Sequence, residues 1–140
     1  MNPRIFLLSV ALLGVPSCII ASASDDPPPP VVTSESSGLV TIDWSITGDK
    51  NPEACDRSDA DALLISVWSE SGAHIGDFEQ YCQVFQTSIE LDPGTYKAEA
   101  VLIAPDGIER TTPIDLHEFD VSGNDMLDVA PIDFPANSFY

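Results

Sequence analysis

Positive charge is scarce in this chain. Five Lys and Arg stand against 23 Asp and Glu, leaving a formal net charge of −18. A field of that sign repels phosphate backbones and anionic head groups, which argues against nucleic-acid binding and favours cations or basic proteins. The acids are spread along the chain and form no single tail, so they read first as a solvated surface. Histidine is scarcer still, with His74 and His117 the only two. Long apolar stretches are missing too. The run Ile5–Val15, broken by Ser9 and Gly14, falls short of the roughly 20 residues that span a bilayer as a helix. No amphipathic helix of useful length interrupts the sequence.

Catalytic signatures are equally thin. There is no Gly-x-Ser-x-Gly elbow, no Ser-x-x-Lys, no catalytic-cysteine setting and no glycine-rich phosphate loop. His74 lies in "SGAHIG", which reads as a hairpin turn, and His117 lies in a strand between Leu116 and Glu118. Each is read as a surface or partner-satisfied histidine before a general base. Carboxylate pairs are too numerous for any one pair to be informative. The expectation is a protein that is not an enzyme.

Arg4 followed by Ile5–Val15 has the charge and length of a signal-peptide core, so the chain reads as exported. "GVPSC", residues 14–18, resembles the bacterial lipoprotein lipobox: Val15 and Ser17 match at −3 and −1, Pro16 departs at −2, and Cys18 falls at the lipid-bearing cysteine. The resemblance implies a lipid anchor on Cys18. Ile19 in the next position implies an outer-membrane destination, periplasmic or at the cell surface. A rival lies just downstream, where "ASA" at 21–23 has the form of an ordinary signal-peptidase site, with cleavage after Ala23 and release of the protein.

Three cysteines leave an odd thiol in an exported protein unless one is removed or modified. Either route of processing leaves Cys55 and Cys82 as an even pair in a disulfide-permissive compartment. Neither has the neighbours of a zinc site. The boundaries expected are a leader over 1–17, a Pro/Ser/Asp-rich tether over 18–38 containing Pro27–Pro30, and a folded domain over 39–140.

Within that domain the period is two. In "VTIDWSIT", 40–47, Val40, Ile42, Trp44 and Ile46 share one face, as in a half-buried strand. "ALLISVWS", 62–69, is nearly apolar throughout, which suits a strand covered on both faces, with a buried helix turn as the competing reading. "GDFEQYCQVFQTSIEL", 76–91, is one long strand or two short ones, since its alternation slips around Cys82. In "TYKAEAVLIA", 95–104, Tyr96, Ala98, Ala100, Leu102 and Ala104 line one side. "APDGIE", 104–109, predicts a tight hairpin turn returning the chain through Ile108–Ile114. "LHEFDVS", 116–122, and "MLDVAPIDF", 126–134, look like closing strands, with Pro131 at an edge or a bend. The 48–61 segment reads as a polar loop with room for one turn after Asn51-Pro52.

Seven to eight short strands with frequent turn signals predict an all-β, antiparallel β-sandwich. "IELDPGTYKAEAVL", 89–102, resembles the Leu-x-Pro-Gly-x-Tyr pattern of transthyretin-like, carboxypeptidase-regulatory and collagen-adhesin-B-type sandwiches, an immunoglobulin-like architecture. That resemblance implies a fold more than an activity. As a whole the chain is similar to short exported Gram-negative lipoproteins with one small β domain.

The function expected is a non-enzymatic envelope lipoprotein, a binding or structural module held to the membrane through Cys18. Its partner would be another envelope protein, met through strand 62–69 with Trp68 as anchor, although Trp68 reads first as a core residue. The rival is a freely secreted carbohydrate- or calcium-dependent ligand-binding domain, and after it a hydrolase. No cofactor is implied apart from calcium at Asp49, Asp56, Asp59 and Asp61, a flexible loop of oxygen ligands that lacks the EF-hand glycine and terminal Glu.

Overall fold

The computed structural model describes residues 36–140. Eight strands carry the fold: β1 (Gly38–Ile46), β2 (Ala62–Ser69), β3 (His74–Tyr81), β4 (Gln86–Leu91), β5 (Gly94–Ile103), β6 (Ile114–Val121), β7 (Met126–Asp128) and β8 (Ile132–Phe134). Among the described residues one α-helix, the short α1 (Pro52–Arg57), lies between β1 and β2. One sheet has the order β4-β1-β7, with β8 also on β1, and the other has the order β3-β2-β5-β6. This is the all-β sandwich that the alternation predicts.

The core fills the space between the sheets. β1 alternates buried and half-buried residues along its whole length, and Val40, Ile42, Trp44 and Ile46 point inward as their spacing requires. Ile89 and Leu91 join them from β4, and Ile132 and Phe134 from β8. From the second sheet come Leu63, Ile65, Val67, Tyr96, Ala98, Ala100, Leu102, Leu116 and Val121. Gly38 opens β1 where the chain passes the end of β6, and a Cβ there would collide with the carbonyl oxygen of Ser122.

Cys82 explains the slip in 76–91. The segment is two strands in different sheets, β3 and β4, joined by a 3₁₀ turn at Cys82–Val84 and by Phe85 in the left-handed region at φ 58°. Cys82 is bonded to Cys55 of α1, with 6.0 Å between the Cα atoms. The polar 48–61 loop therefore contains a true helix. Asn51 caps it by accepting from the Glu53 amide at 3.0 Å, and Pro52 supplies a first-turn residue with no N–H to satisfy.

Three expectations need correction. The Asp106-Gly107 turn forms as predicted, with Gly107 donating to the Ala104 carbonyl at 2.8 Å, but Ile108–Pro113 is not a strand. Thr111 Oγ1 accepts from the Leu102 amide, and Pro113 has no N–H to offer, so regular pairing resumes only at Ile114. Second, the sandwich is not purely antiparallel, because β7 and β8 both run parallel to β1, split by the bend at Val129–Pro131. Third, His74 opens β3 and is not in the turn before it. Cys18, the leader and most of the tether lie outside the described residues.

Candidate functional site

β2 has an apolar inner face, Leu63, Ile65 and Val67, and a mixed outer one. At its start, Ala62 and Leu64 pack with Val101 and Ile103 in a small second cluster, so both faces are covered there. Further along, the outer face changes to Ser66 and Trp68, and Trp68 is only half-buried. The strand is thus two-sided over its first half alone. Trp68 stands on the outer surface and is not core, in contrast to Trp44, which is fully enclosed.

Across the sheet Trp68 faces His74 of β3 on one side and Lys97 of β5 on the other. The β2–β3 ladder beside Trp68 and the β5–β6 ladder beside Lys97 both slip at this row, while β2 and β5 stay in register. Val67 pairs with Gly76 whereas Trp68 pairs with His74, so Ile75 is an extra residue in β3. Tyr96 pairs with Phe119 whereas Ala98 pairs with Leu116, so His117 and Glu118 share the place opposite Lys97. An inserted residue bends its strand and re-aims the side chains beside it. Two such insertions therefore border one row and bring both histidines of the chain to it.

The result is an open cleft of about 560 Å³. Trp68 and Lys97 line it, with Glu70, Glu99, Asp115, His117 and Glu118 around them. Lys97 Nζ reaches Glu118 Oε2 at 3.6 Å. Behind the indole, the His74 ring lies 5.6 Å away at a tilt of 54°. His74 is held there by Asp77, whose Oδ1 is 3.0 Å from Nε2 and also accepts from Ser66 Oγ at 2.6 Å. The Ser66 and His74 hydrogen bonds hold the Asp77 carboxyl below the usual carboxylate range.

Ser66, Asp77 and His74 have the residue types of a hydrolytic triad with the wiring of a brace. A serine nucleophile needs a histidine nitrogen on its oxygen and the carboxylate behind that histidine. Here serine and histidine both bond the same carboxylate oxygen. The arrangement fixes an imidazole against an indole, and it does not activate a hydroxyl.

The acidic loop is arranged differently. Asp49 Oδ2 lies 3.4 Å from Arg57 Nη2, Asp59 pairs with Arg110, and Asp56 accepts from Gln83 at 3.1 Å. Asp56, Asp59 and Asp61 line a shallow depression of about 220 Å³, and Asp49 is not part of it. Among the described residues no three His, Cys, Asp or Glu side chains are placed to hold a metal ion. The depression sits at the start of β2, roughly 20 Å along the strand from Trp68.

Of the residues singled out from the sequence, Cys55 and Cys82 are joined, Trp68 lies in the cleft, and the four loop aspartates are apart from the cleft, with Asp56 beside the disulfide on α1. Glu70, Lys97, Glu99, Asp115 and Glu118 escaped sequence reasoning. One signal for them exists. Leu116, Phe119 and Val121 are spaced three and then two, a break in alternation that marks a bulge.

No protein-family model matches the chain, and no curated protein matches its sequence. Solved structures that are similar in part include the following two. One is a candidate polysaccharide-binding protein of Bacteroides thetaiotaomicron, at 12% identity and a TM-score of 0.39 over 68% of this chain. The other is a candidate adhesin of Bacteroides ovatus, at 12% identity and a TM-score of 0.43 over 69% of this chain. The present chain spans just under half, 46%, of the length of each.

Proposed function

We propose that this chain is an exported, non-enzymatic binding module that presents the outer face of the β3-β2-β5-β6 sheet to a partner in the cell envelope. The observation that carries the reading is the pair of bulges flanking Trp68 and Lys97. A half-exposed indole braced from behind and ringed by charged groups is the composition of a binding hot spot, where aromatic residues supply most of the energy. The lipobox-like "GVPSC" supports attachment through Cys18, where several acyl chains would anchor the domain stably and one alone would not.

Two measurements test it together. The mature protein from membrane and soluble fractions is weighed intact, and envelope material retained by the wild type is compared with that retained by Trp68→Ala. A diacylglyceryl-and-acyl adduct on Cys18, with a retained species lost in a variant of unchanged melting temperature, is the expected result. Equal retention by wild type and variant removes Trp68 from the reading. An unmodified chain starting at Ser24 in the soluble fraction replaces the anchored module with a freely secreted one.

A further inference from the structure

We infer that the Trp68 cleft receives a cationic side chain, the guanidinium or ammonium group of a basic segment of a partner protein. The inference rests on the binding-module reading and names the chemistry that its site would recognise. Four carboxylates, Glu70, Glu99, Asp115 and Glu118, line the cleft against one permanent cation, Lys97. That cation is engaged by Glu118. Among the described residues, no basic side chain pairs with Glu70, Glu99 or Asp115.

The register supplies an independent reason. Glu99 and Asp115 are direct cross-strand partners on the outer face. Like charges opposite each other in a ladder destabilise the sheet. A cation seated between them converts that repulsion into two charge-assisted contacts. Trp68 lines the same cleft, and an indole is the best aromatic partner for a cation. The −18 net charge of the whole chain draws cations toward the molecule and raises their encounter rate. A neutral glycan would strip water from the same carboxylates without replacing it by opposite charge.

The test uses the folded domain with a blocked Gly-Arg repeat peptide at physiological ionic strength, its citrulline counterpart, and a panel of neutral oligosaccharides, read by tryptophan fluorescence. The arginine peptide should bind saturably and the citrulline peptide at least about tenfold more weakly. Glu99→Gln with Asp115→Asn should weaken the arginine peptide by about tenfold or more while raising the melting temperature, because the repelling pair is gone. Asp56→Asn with Asp61→Asn removes equal charge elsewhere and should change binding by no more than about twofold. Equal weakening by both pairs reduces the effect to the overall field and overturns the inference, as does failure of the arginine peptide to bind. An oligosaccharide that binds and is lost in Trp68→Ala, where the arginine peptide is not bound, overturns the cation but leaves the binding module standing. Envelope retention unaffected by Trp68→Ala removes the module itself.

Discussion

The indole N–H of Trp44 donates to the carbonyl oxygen of Cys82 across 3.2 Å inside the core. It ties the middle of β1 to the turn where the chain crosses from one sheet to the other, and it satisfies a carbonyl that the 3₁₀ turn leaves without a strand partner. Trp44→Phe keeps an aromatic ring but removes that hydrogen bond. A net intramolecular hydrogen bond contributes about 0.5–1.5 kcal/mol, and the lost ring volume adds to it. Denaturant unfolding should show a loss of that size with an unchanged slope; a loss of a few tenths would mean that water reaches Cys82.

The disulfide on the same residue closes a loop with a sequence separation of 27. Loop-closure entropy assigns such a cross-link about 3.5 kcal/mol, acting through the unfolded chain. Replacing both Cys55 and Cys82 by Ala should lower stability by about that much and leave the wild type alone sensitive to reductant. A double variant as stable as the oxidised protein would show that α1 holds its place through the packing of Ala54 and its Asn51 cap.

Legibility from sequence followed local periodicity. β1 alternates along its whole length and β5 over Tyr96–Ala100, so the inward set Val40, Ile42, Trp44, Ile46 and the set Tyr96, Ala98, Ala100, Leu102 could be read from the residues, as could the Asp106-Gly107 turn. Strand partners could not, because nothing local in Met126–Asp128 or Ile132–Phe134 states that each runs parallel to β1. The cleft was hidden for a related reason. Strand 62–69 is apolar at nearly every position, so alternation cannot say which face Trp68 takes. Of the bulges that gather charge around it, the one in β6 leaves a trace in the spacing of Leu116 and Phe119, and that they flank one row is visible only when three ladders are laid side by side.

Tyr96 ties the Pro93-Gly94 turn to the sandwich. Its hydroxyl donates to the Asp92 carbonyl at 2.8 Å and its ring stacks on Phe119 at 6.0 Å. Burial first, and the nearby Asp92 charge second, raise the Tyr96 phenol above its ordinary value. A raised folded-state value means that the stability is present below the unfolded value, about 10, and is lost as pH climbs through the folded one. Tyr96→Phe should cost about 1 kcal/mol at neutral pH. The gap between the two proteins should narrow as pH rises past the unfolded value; a constant gap would mean that the phenol does not ionise before the chain unfolds.

Calcium should do little at the α1 loop. Asp49 and Asp59 already face Arg57 and Arg110, so an ion would have to displace a guanidinium to recruit them. Stabilisation by a bound ion grows with the logarithm of its concentration over its dissociation constant, so millimolar calcium or a chelator should move the melting temperature by less than about 1 °C. A rise of several degrees, lost in Asp56→Asn, would establish the loop as a cation site in spite of its ion pairs.

Asp77 is the brace that keeps His74 behind Trp68, and its acid dependence can be read directly. Hydrogen bonds from Ser66 and then His74 lower its folded-state value below the unfolded one. Its contribution is therefore complete above the unfolded carboxylate value and is lost as pH falls through the folded one. Asp77→Asn should melt below wild type at neutral pH, and the two should converge in strong acid, where the wild-type carboxyl is protonated as well. The same substitution frees the imidazole from the indole, so the fluorescence of Trp68 should change at neutral pH in Asp77→Asn and not in a control such as Glu79→Gln, one exposed position further along β3. Parallel melting curves at every pH would show that the Ser66–Asp77–His74 contacts are too exposed to differ from hydration, and Trp68 would then owe its position to the β3 bulge alone.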